Sequence, residues 1–393
     1  MIDVCYLVDA PFLGGAELYV SRLATGLDRS RFRARVIMRR PPDLQSGLDE
    51  WRRGLEDAGV PVETFPMDIP WRPWRAVPVW RAIAEAAPQV VHVNLPGPQD
   101  GQMGLLVPIS RMAGTGGVVV TEHLPMIEPT RKRGMLKRVS YRWVDRVATV
   151  CHANVTYLVN RQFVPLEKTT VIHNALDSSY GAASGEPAAL LRQFGLPADA
   201  TRVTFLGNLL RHKGLHRVIH ALARIADRPW HLVVVGVGPE HDGCVRLLEQ
   251  AGLRERATFL GRLSGEDVER VLAVSDVLTL PSTQEGMPYV ILEAMASGVP
   301  VVSTAVYGIP EMVVHGETGL LVEPGDGDGL SDALARLIDG PDERSRMGIA
   351  ARRRFEELFT LDRQLRRIEA LYLDVARPGR RRIAAAGGAD EDE

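Results

Sequence analysis

Cysteine is scarce in this chain of 393 residues: Cys5, Cys151 and Cys244 are the only three, far apart and odd in number. Thiols so few and so spaced exclude a disulfide framework and a cysteine metal site, and they suit a reducing compartment. Aromatic residues make up only 6%, and the formal net charge is −2. Such a balance exerts no global pull toward nucleic acid or an anionic membrane. No apolar run reaches the length of a membrane span. The chain enters an apolar run at Ile2 with no basic segment before it, so no signal peptide is visible and the expected location is the cytoplasm.

What is present is ordinary globular material, 45% hydrophobic and 24% charged. The length exceeds a single core, so two domains are expected. The first half alternates short β-branched runs with helical patterns. Its strand candidates are Ile2–Val8, Arg35–Met38, Val90–Asn94, Val118–Thr121 and Arg146–Val150. A helix is expected over Glu17–Leu27, where Leu18, Leu23 and Leu27 fall near a 3.6-residue period. The second half restarts the rhythm at Val203–Leu206, Leu232–Val235, Ala257–Leu260, Val277–Leu280 and Val299–Ser303. This alternation predicts an α/β fold built of βαβ units with parallel sheets. Asp177–Pro197, rich in Ser, Gly, Ala and Pro, is expected to be a surface connection, with a hinge just before it near His173-Asn174-Ala175. From Pro378 onward the chain is charge-blocked and is expected to be disordered. Two α/β domains joined at a hinge imply a cleft, a preferred place for small-molecule sites.

The most informative stretch is Glu285-Gly286-Met287-Pro288-Tyr289-Val290-Ile291-Leu292-Glu293. The strand candidate before it ends at Pro281-Ser282, and a helical pattern follows Pro288. Glu285 is therefore expected on a loop at the carboxyl end of a strand, and Glu293 about two turns into the next helix. In a parallel sheet, ligands bind at that end. The free amides around Gly286 to Tyr289 would suit an anion. By spacing alone, the two glutamates are equally well explained as exposed acids near a positive helix start.

Gly14-Gly15 lies between the first strand and its helix, where glycine lets backbone approach a ligand. Neither this pair nor Gly236-x-Gly238 has the third glycine of a dinucleotide fingerprint, which disfavours an NAD-dependent oxidoreductase. His123 follows an apolar strand, a place where a lone histidine is more often structural; His92 and His173 are read as structural. The segment Arg131–Arg146 is basic, with Lys132, Arg133, Lys137, Arg138 and Arg142 inside it. Leu136, Val139, Trp143 and Val147 would share one helical face. It reads either as a helix packed on its own domain or as a patch for a membrane surface or an anionic acceptor. Trp71 and Trp74, between prolines, would shape a pocket or simply pack a loop.

Taken together, Ser282–Val302 resembles the glutamate-x7-glutamate region of retaining glycosyltransferases of the GT-B fold, in glycosyltransferase family 4. Phe205-Leu206-Gly207-Asn208-Leu209-Leu210-Arg211-His212-Lys213-Gly214 resembles that family's glycine–arginine–lysine–glycine segment. Leu232–Glu240, Phe259–Leu263, Gly308-Ile309-Pro310-Glu311 and Gly316–Val322 fit further stretches, as do Gly14–Glu17, Thr121-Glu122-His123 and Val171–Asn174 in the first half. The resemblance spans most of residues 1–375.

The resemblance implies two Rossmann-like domains facing across a cleft: an acceptor-side domain at 1–172, a nucleotide-sugar domain at 173–360, a helix at 361–377 crossing back to the first, and a tail at 378–393. It implies metal-independent transfer of a sugar, with retention, from a UDP- or GDP-linked donor to a small-molecule, saccharide or lipid hydroxyl, with no cofactor. Glu285 would hold the sugar hydroxyls, Glu293 the ribose, and Lys213 the leaving diphosphate, with amides of Gly286, Met287, Tyr289 and Val290 beside it; Pro288 has no N–H to give. His123 would bond a sugar hydroxyl from the first domain. Asn208 stands where the family usually has arginine, and Arg211 is the expected substitute cation. The alternatives on the same plan are a sugar-nucleotide epimerase, a phosphorylase, or a catalytically silent sugar-nucleotide-binding protein.

Overall fold

The computed structural model describes residues 1–8, 14–39, 46–65, 76–96, 103–124, 131–182 and 185–377. The chain divides into two compact units. The first comprises Met1–Thr149, Val155–Ile172 and the chain from Leu365; the second comprises Val150–Asn154 and His173–Gln364.

Among the described residues, the first unit holds seven strands: β1 Ile2–Val8, β2 Phe32–Arg39, β3 Val62–Phe65, β4 Val90–Leu95, β5 Gly117–Glu122, β6 Arg146–Thr149 and β7 Thr169–Val171. They form one sheet in the order β3-β2-β1-β4-β5-β6-β7, all parallel. Its helices are α1 Gly15–Gly26, α2 Ser46–Asp57, α3 Val77–Ala86, α4 Met103–Met112, α5 Arg131–Ser140 and α6 His152–Asn160, whose first three residues belong to the second unit. Central strands such as Val90–Leu95 are buried throughout because helices cover both faces. Tyr19, Leu23 and Trp51 fill one face with Ile368 and Tyr372; Val79, Ile83, Leu106 and Leu158 fill the other.

The second unit has six strands: β8 Thr201–Leu206, β9 Trp230–Val235, β10 Ala257–Gly261, β11 Val277–Leu280, β12 Val301–Thr304 and β13 Gly319–Val322, in the parallel order β10-β9-β8-β11-β12-β13. Its helices run α7 Pro187–Phe194, α8 Leu215–Arg224, α9 His241–Gln250, α10 Gly265–Ala273, α11 Tyr289–Ala296, α12 Ile309–Met312, α13 Gly327–Asp339 and α14 Pro341–Leu358, followed by α15 Leu361–Val375, whose later turns belong to the first unit. α8 packs on α13 and α11 on α14, one pair per face. In each sheet the strand order reverses once, at β1/β4 and at β8/β11. A crevice for ligands is expected there, outside the carboxyl ends.

Three expectations need correction. Asp177–Pro197 is not only a surface connection: it contains α7, whose Leu190 and Phe194 are buried, and Pro187 starts that helix by its preset φ. The basic segment is not one helix. α5 stops at Ser140, a short 3₁₀ turn follows at Tyr141–Trp143, and Val147 is buried inside β6. Val139 and Trp143 are exposed, so the proposed shared face does not exist. Glu293 is the fifth residue of α11, just over one turn in. The edge strands β3 and β7 were not expected; they are short and half-exposed, with no apolar run to announce them. The Trp71/Trp74 loop and the tail from Pro378 lie outside the described residues.

Candidate functional site

In the second unit the chain leaves β8 through Gly207-Asn208 and forms a 3₁₀ turn, Arg211–Lys213, before α8 begins after Gly214. It leaves β11 through Pro281-Ser282 and reaches Glu285. These neighbouring strands bracket the point of reversal, and there the Lys213 Nζ donates to Glu285 Oε1 at 2.5 Å. Ser282 Oγ donates to the same oxygen at 2.8 Å. Glu285 is 6% exposed, so this charge-assisted contact sits largely out of water. The backbones are tied too: Thr283 N–H donates to His212 carbonyl at 2.9 Å.

The loop after Glu285 is held from behind. Asn174 Nδ2 donates to the Met287 carbonyl at 2.7 Å. A Cβ on Gly308 would lie 2.1 Å from the Gly286 carbonyl, so glycine is what lets these loops touch. Pro288 precedes α11 with no side-chain cap, which leaves the amides of Tyr289 and Val290 at the helix's positive end. Met287, Pro288 and Tyr289 are buried, while Val290 and Glu293 are half-buried.

The environment is cationic. His216 is pushed down to about 4, by burial first and then by Arg211 and Arg217. His212 is lowered by burial and by Lys213. Arg211 is exposed and pairs with Glu240 at 3.4 Å. Asn208 is exposed as well. Arg217, which sequence reasoning missed, donates from Nη1 to the Pro281 carbonyl at 3.2 Å. A cavity of about 190 Å³ opens on its other side, between α8 and α13, lined among others by His220, Arg224 and Thr304; apart from the shared Pro281 it does not touch the loop around Glu285.

The first unit has its own cluster at the carboxyl ends of β1, β4 and β5. Gly14 N–H donates to Glu17 Oε2 at 2.8 Å, which fixes the turn Gly14-Gly15 at the start of α1. Asn94 Nδ2 donates to the Ala16 carbonyl at 3.1 Å, and Asn94 Oδ1 lies 2.9 Å from His123 Nε2. The His123 ring stands edge-on to Tyr19, 4.9 Å away. Burial brings its pKa down to about 3, so His123 is a neutral hydrogen-bonding group. His92 is structural: Nδ1 is 2.6 Å from the Tyr372 hydroxyl and Nε2 is 2.7 Å from Thr121 Oγ1.

Comparison with known proteins now bears on this geometry. The model of "Glycosyl transferases group 1" matches residues 189–354, and that of "Glycosyltransferase Family 4" matches residues 13–180. The chain belongs to this glycosyltransferase family. It is 34% identical over 189 residues to N-acetyl-alpha-D-glucosaminyl L-malate synthase of Bacillus anthracis, covering 48% of this chain and 49% of that protein, so the match spans about half the relative's length. It is 27% identical over 360 residues to a GDP-mannose-dependent alpha-(1-6)-phosphatidylinositol monomannoside mannosyltransferase of Mycobacterium tuberculosis, covering 87% of this chain and 90% of the other. The structure of Anabaena HepE in complex with UDP superposes with a TM-score of 0.82 at 22% identity, covering 95% of this chain and 100% of that one. The fold of this family 4 member is therefore GT-B.

Some residues of the site were invisible to motif reading. Ser282 holds Glu285 from three residues away in the same loop, and Asn174 holds Met287 from 113 residues away through its backbone N–H and its Nδ2. Asn94 left one signal, a polar side chain late in the valine-rich run Val90–Leu95. No helix among the described residues is long and apolar enough to cross a membrane.

Proposed function

We propose that this family 4 glycosyltransferase moves a sugar from a nucleoside-diphosphate donor to an acceptor hydroxyl, with retention at the anomeric carbon. The observation that carries the reading is the Lys213–Glu285 pair, 2.5 Å apart beside the uncapped start of α11. A donor entering here separates the pair. Lys213 and the amides of Tyr289 and Val290 meet the diphosphate, which gains charge as it leaves. Glu285 accepts from sugar hydroxyls and opposes the positive charge that grows on the ring. Glu293, on the next turn, takes the ribose hydroxyls. Fixed cations and helix-start amides supply the positive charge the leaving group needs, so the chemistry runs without a metal at the phosphates. The acceptor proton passes to the departing phosphate oxygen as the new glycosidic bond forms.

The named relatives support a UDP or GDP donor, since HepE holds UDP and the mycobacterial protein is GDP-mannose-dependent. Their acceptors, as named, include L-malate and a phosphatidylinositol mannoside. The acceptor side of this chain is assigned to the first unit, with the Gly14-Gly15 turn, while His123 of that unit is assigned to a hydroxyl of the donor sugar. Met135, Val139, Trp143 and Phe163 are exposed in that unit, with the Arg138 guanidinium 3.8 Å over the Phe163 ring. Apolar and basic groups so placed favour peripheral contact with an anionic bilayer; equal flotation with anionic and neutral vesicles would count against it.

The test is Glu285→Gln at saturating donor. Turnover should fall by about a hundredfold or more, as for loss of one transition-state electrostatic contact, while the folded baseline in circular dichroism is kept. Wild-type rates would sink the reading. Labelled donor, with and without acceptor, separates transfer from epimerisation, phosphorolysis or silent binding.

A further inference from the structure

Two histidines and a glutamate converge away from the Lys213–Glu285 pair. His152 begins α6, His173 follows β7, and Glu311 sits on α12, all within the second unit. Glu311 Oε2 lies 2.9 Å from His152 Nδ1 and 3.2 Å from His173 Nε2. The three donor atoms are all within 4.8 Å of one another. The geometry points to a binding site for a divalent transition ion of the zinc type, held by His152 Nδ1, His173 Nε2 and Glu311 Oε2.

Zinc bonds of about 2.0–2.2 Å in tetrahedral array place neighbouring donor atoms roughly 3.4 Å apart. The observed spacing needs only small side-chain rotations to reach that. On binding, each imidazole turns a lone pair to the ion and carries its proton on the other ring nitrogen. Two imidazoles and one carboxylate suit zinc and its neighbours, and not magnesium or calcium.

The surroundings keep the ligands aimed. Ala153 N–H donates to the second carboxylate oxygen, Oε1, at 3.1 Å. Arg354 Nη2 donates to the Glu311 carbonyl at 2.8 Å and fixes α12 from behind. The His173 ring rests edge-on against buried Phe359 with centroids 5.6 Å apart, and its carbonyl accepts from Gln364 Nε2 at 2.6 Å. Such outer contacts orient metal ligands. The side chain of His152 is 72% exposed, which gives an ion a way in and leaves the fourth position to water.

The site would staple the two segments by which the chain passes into the second unit, at 150–154 and at 173, onto α12. α12 begins directly after Gly308, which touches the Gly286 carbonyl. The ion would therefore brace the wall behind the loop of Glu285 without touching the reacting groups.

The experiment is equilibrium dialysis of the full chain against zinc chloride, with metal counted by mass spectrometry. One zinc per chain should bind, and the melting temperature should rise with it. His152→Ala, at an exposed position that leaves the fold intact, should weaken binding at least tenfold and abolish the shift. Glu311→Gln should do the same. Cobalt(II) in place of zinc should give the visible absorption of a four-coordinate nitrogen–oxygen site in the wild type and lose it in His152→Ala. No saturable binding, or zinc bound equally by wild type and both variants, would overturn the proposal. Glycosyl transfer is not the readout, so the outcome is independent of the proposed activity.

Discussion

On the proposed reading, Lys213 and Glu285 hold each other's place until a donor separates them. With each charge partly buried, an unpaired group would be costly to hold away from water, and the contact offsets that cost. The unusual residue here is Asn208, which brings no charge where a cation is common in the family. Arg211 is the candidate substitute. Its guanidinium is 74% exposed, and its 3.4 Å contact with Glu240 is long. An exposed pair of this kind is worth about 0–1 kcal/mol, so it would break readily for the diphosphate of the proposed donor. Arg211→Ala should therefore weaken donor binding about five- to tenfold, close to 1–1.4 kcal/mol, and leave the unfolding free energy within about 0.5 kcal/mol of wild type. Titration calorimetry with UDP and GDP checks the first, and urea unfolding the second. Unchanged affinity would mean that Lys213 and the α11 amides suffice. At this scale the sequence was partly legible. Charged residues in an ordered motif announce themselves, but Asn174 and Arg217 act through contacts that only the fold creates, and Ser282 acts through the turn of its own loop.

At the scale of elements, the loops after β8, β9, β11 and β12 crowd one another, and glycine decides how closely. Gly236 has φ of +134°, and a Cβ there would lie 2.0 Å from the Gly207 carbonyl. Gly308 differs, because its φ of −82° suits any residue and only space forbids a side chain. Gly308→Ala pushes directly on the Gly286 carbonyl and on the Cys151 side chain. The cost should be about 1–3 kcal/mol, as for overpacking. The displaced loop should weaken donor affinity beyond what the fraction unfolded accounts for. Differential scanning calorimetry and donor titration on the same sample separate the two effects; a melting shift with native donor affinity would mean that the loop absorbs the push elsewhere. The central strands were readable because burial on both faces demands continuous Val and Leu. The helix α7 was not, since Ser-, Gly- and Pro-rich flanks mask eight residues whose apolar side shows only in Leu190 and Phe194. The end of α5 was missed for a related reason: Trp143 and Val147 continue a helical spacing that the chain abandons at Ser140 to enter β6.

At the scale of the whole molecule, two buried histidines link stability to pH. His92 and His123 are both brought down to about 3, by burial first; His92 is lowered further by His123. In the unfolded chain each takes up a proton near its ordinary 6.5. Between those values the unfolded state binds more protons than the folded one, so stability rises with pH across that window. Their neutral forms contribute in full above about 6.5, and the contribution is lost as pH falls toward 3. The effect reaches beyond the sheet, because His92 meets Tyr372 of α15, whose hydroxyl donates to Tyr6 at 3.0 Å. Lowering the pH from 7.5 to 5 should reduce the urea midpoint and raise amide exchange, corrected for intrinsic rate, along the later turns of α15. His92→Gln keeps a donor and an acceptor at that place but cannot titrate. It should lower stability at pH 7.5 through imperfect packing and yet flatten the decline toward pH 5. A decline as steep in His92→Gln as in the wild type would locate the acid sensitivity elsewhere than the contact between β4 and α15.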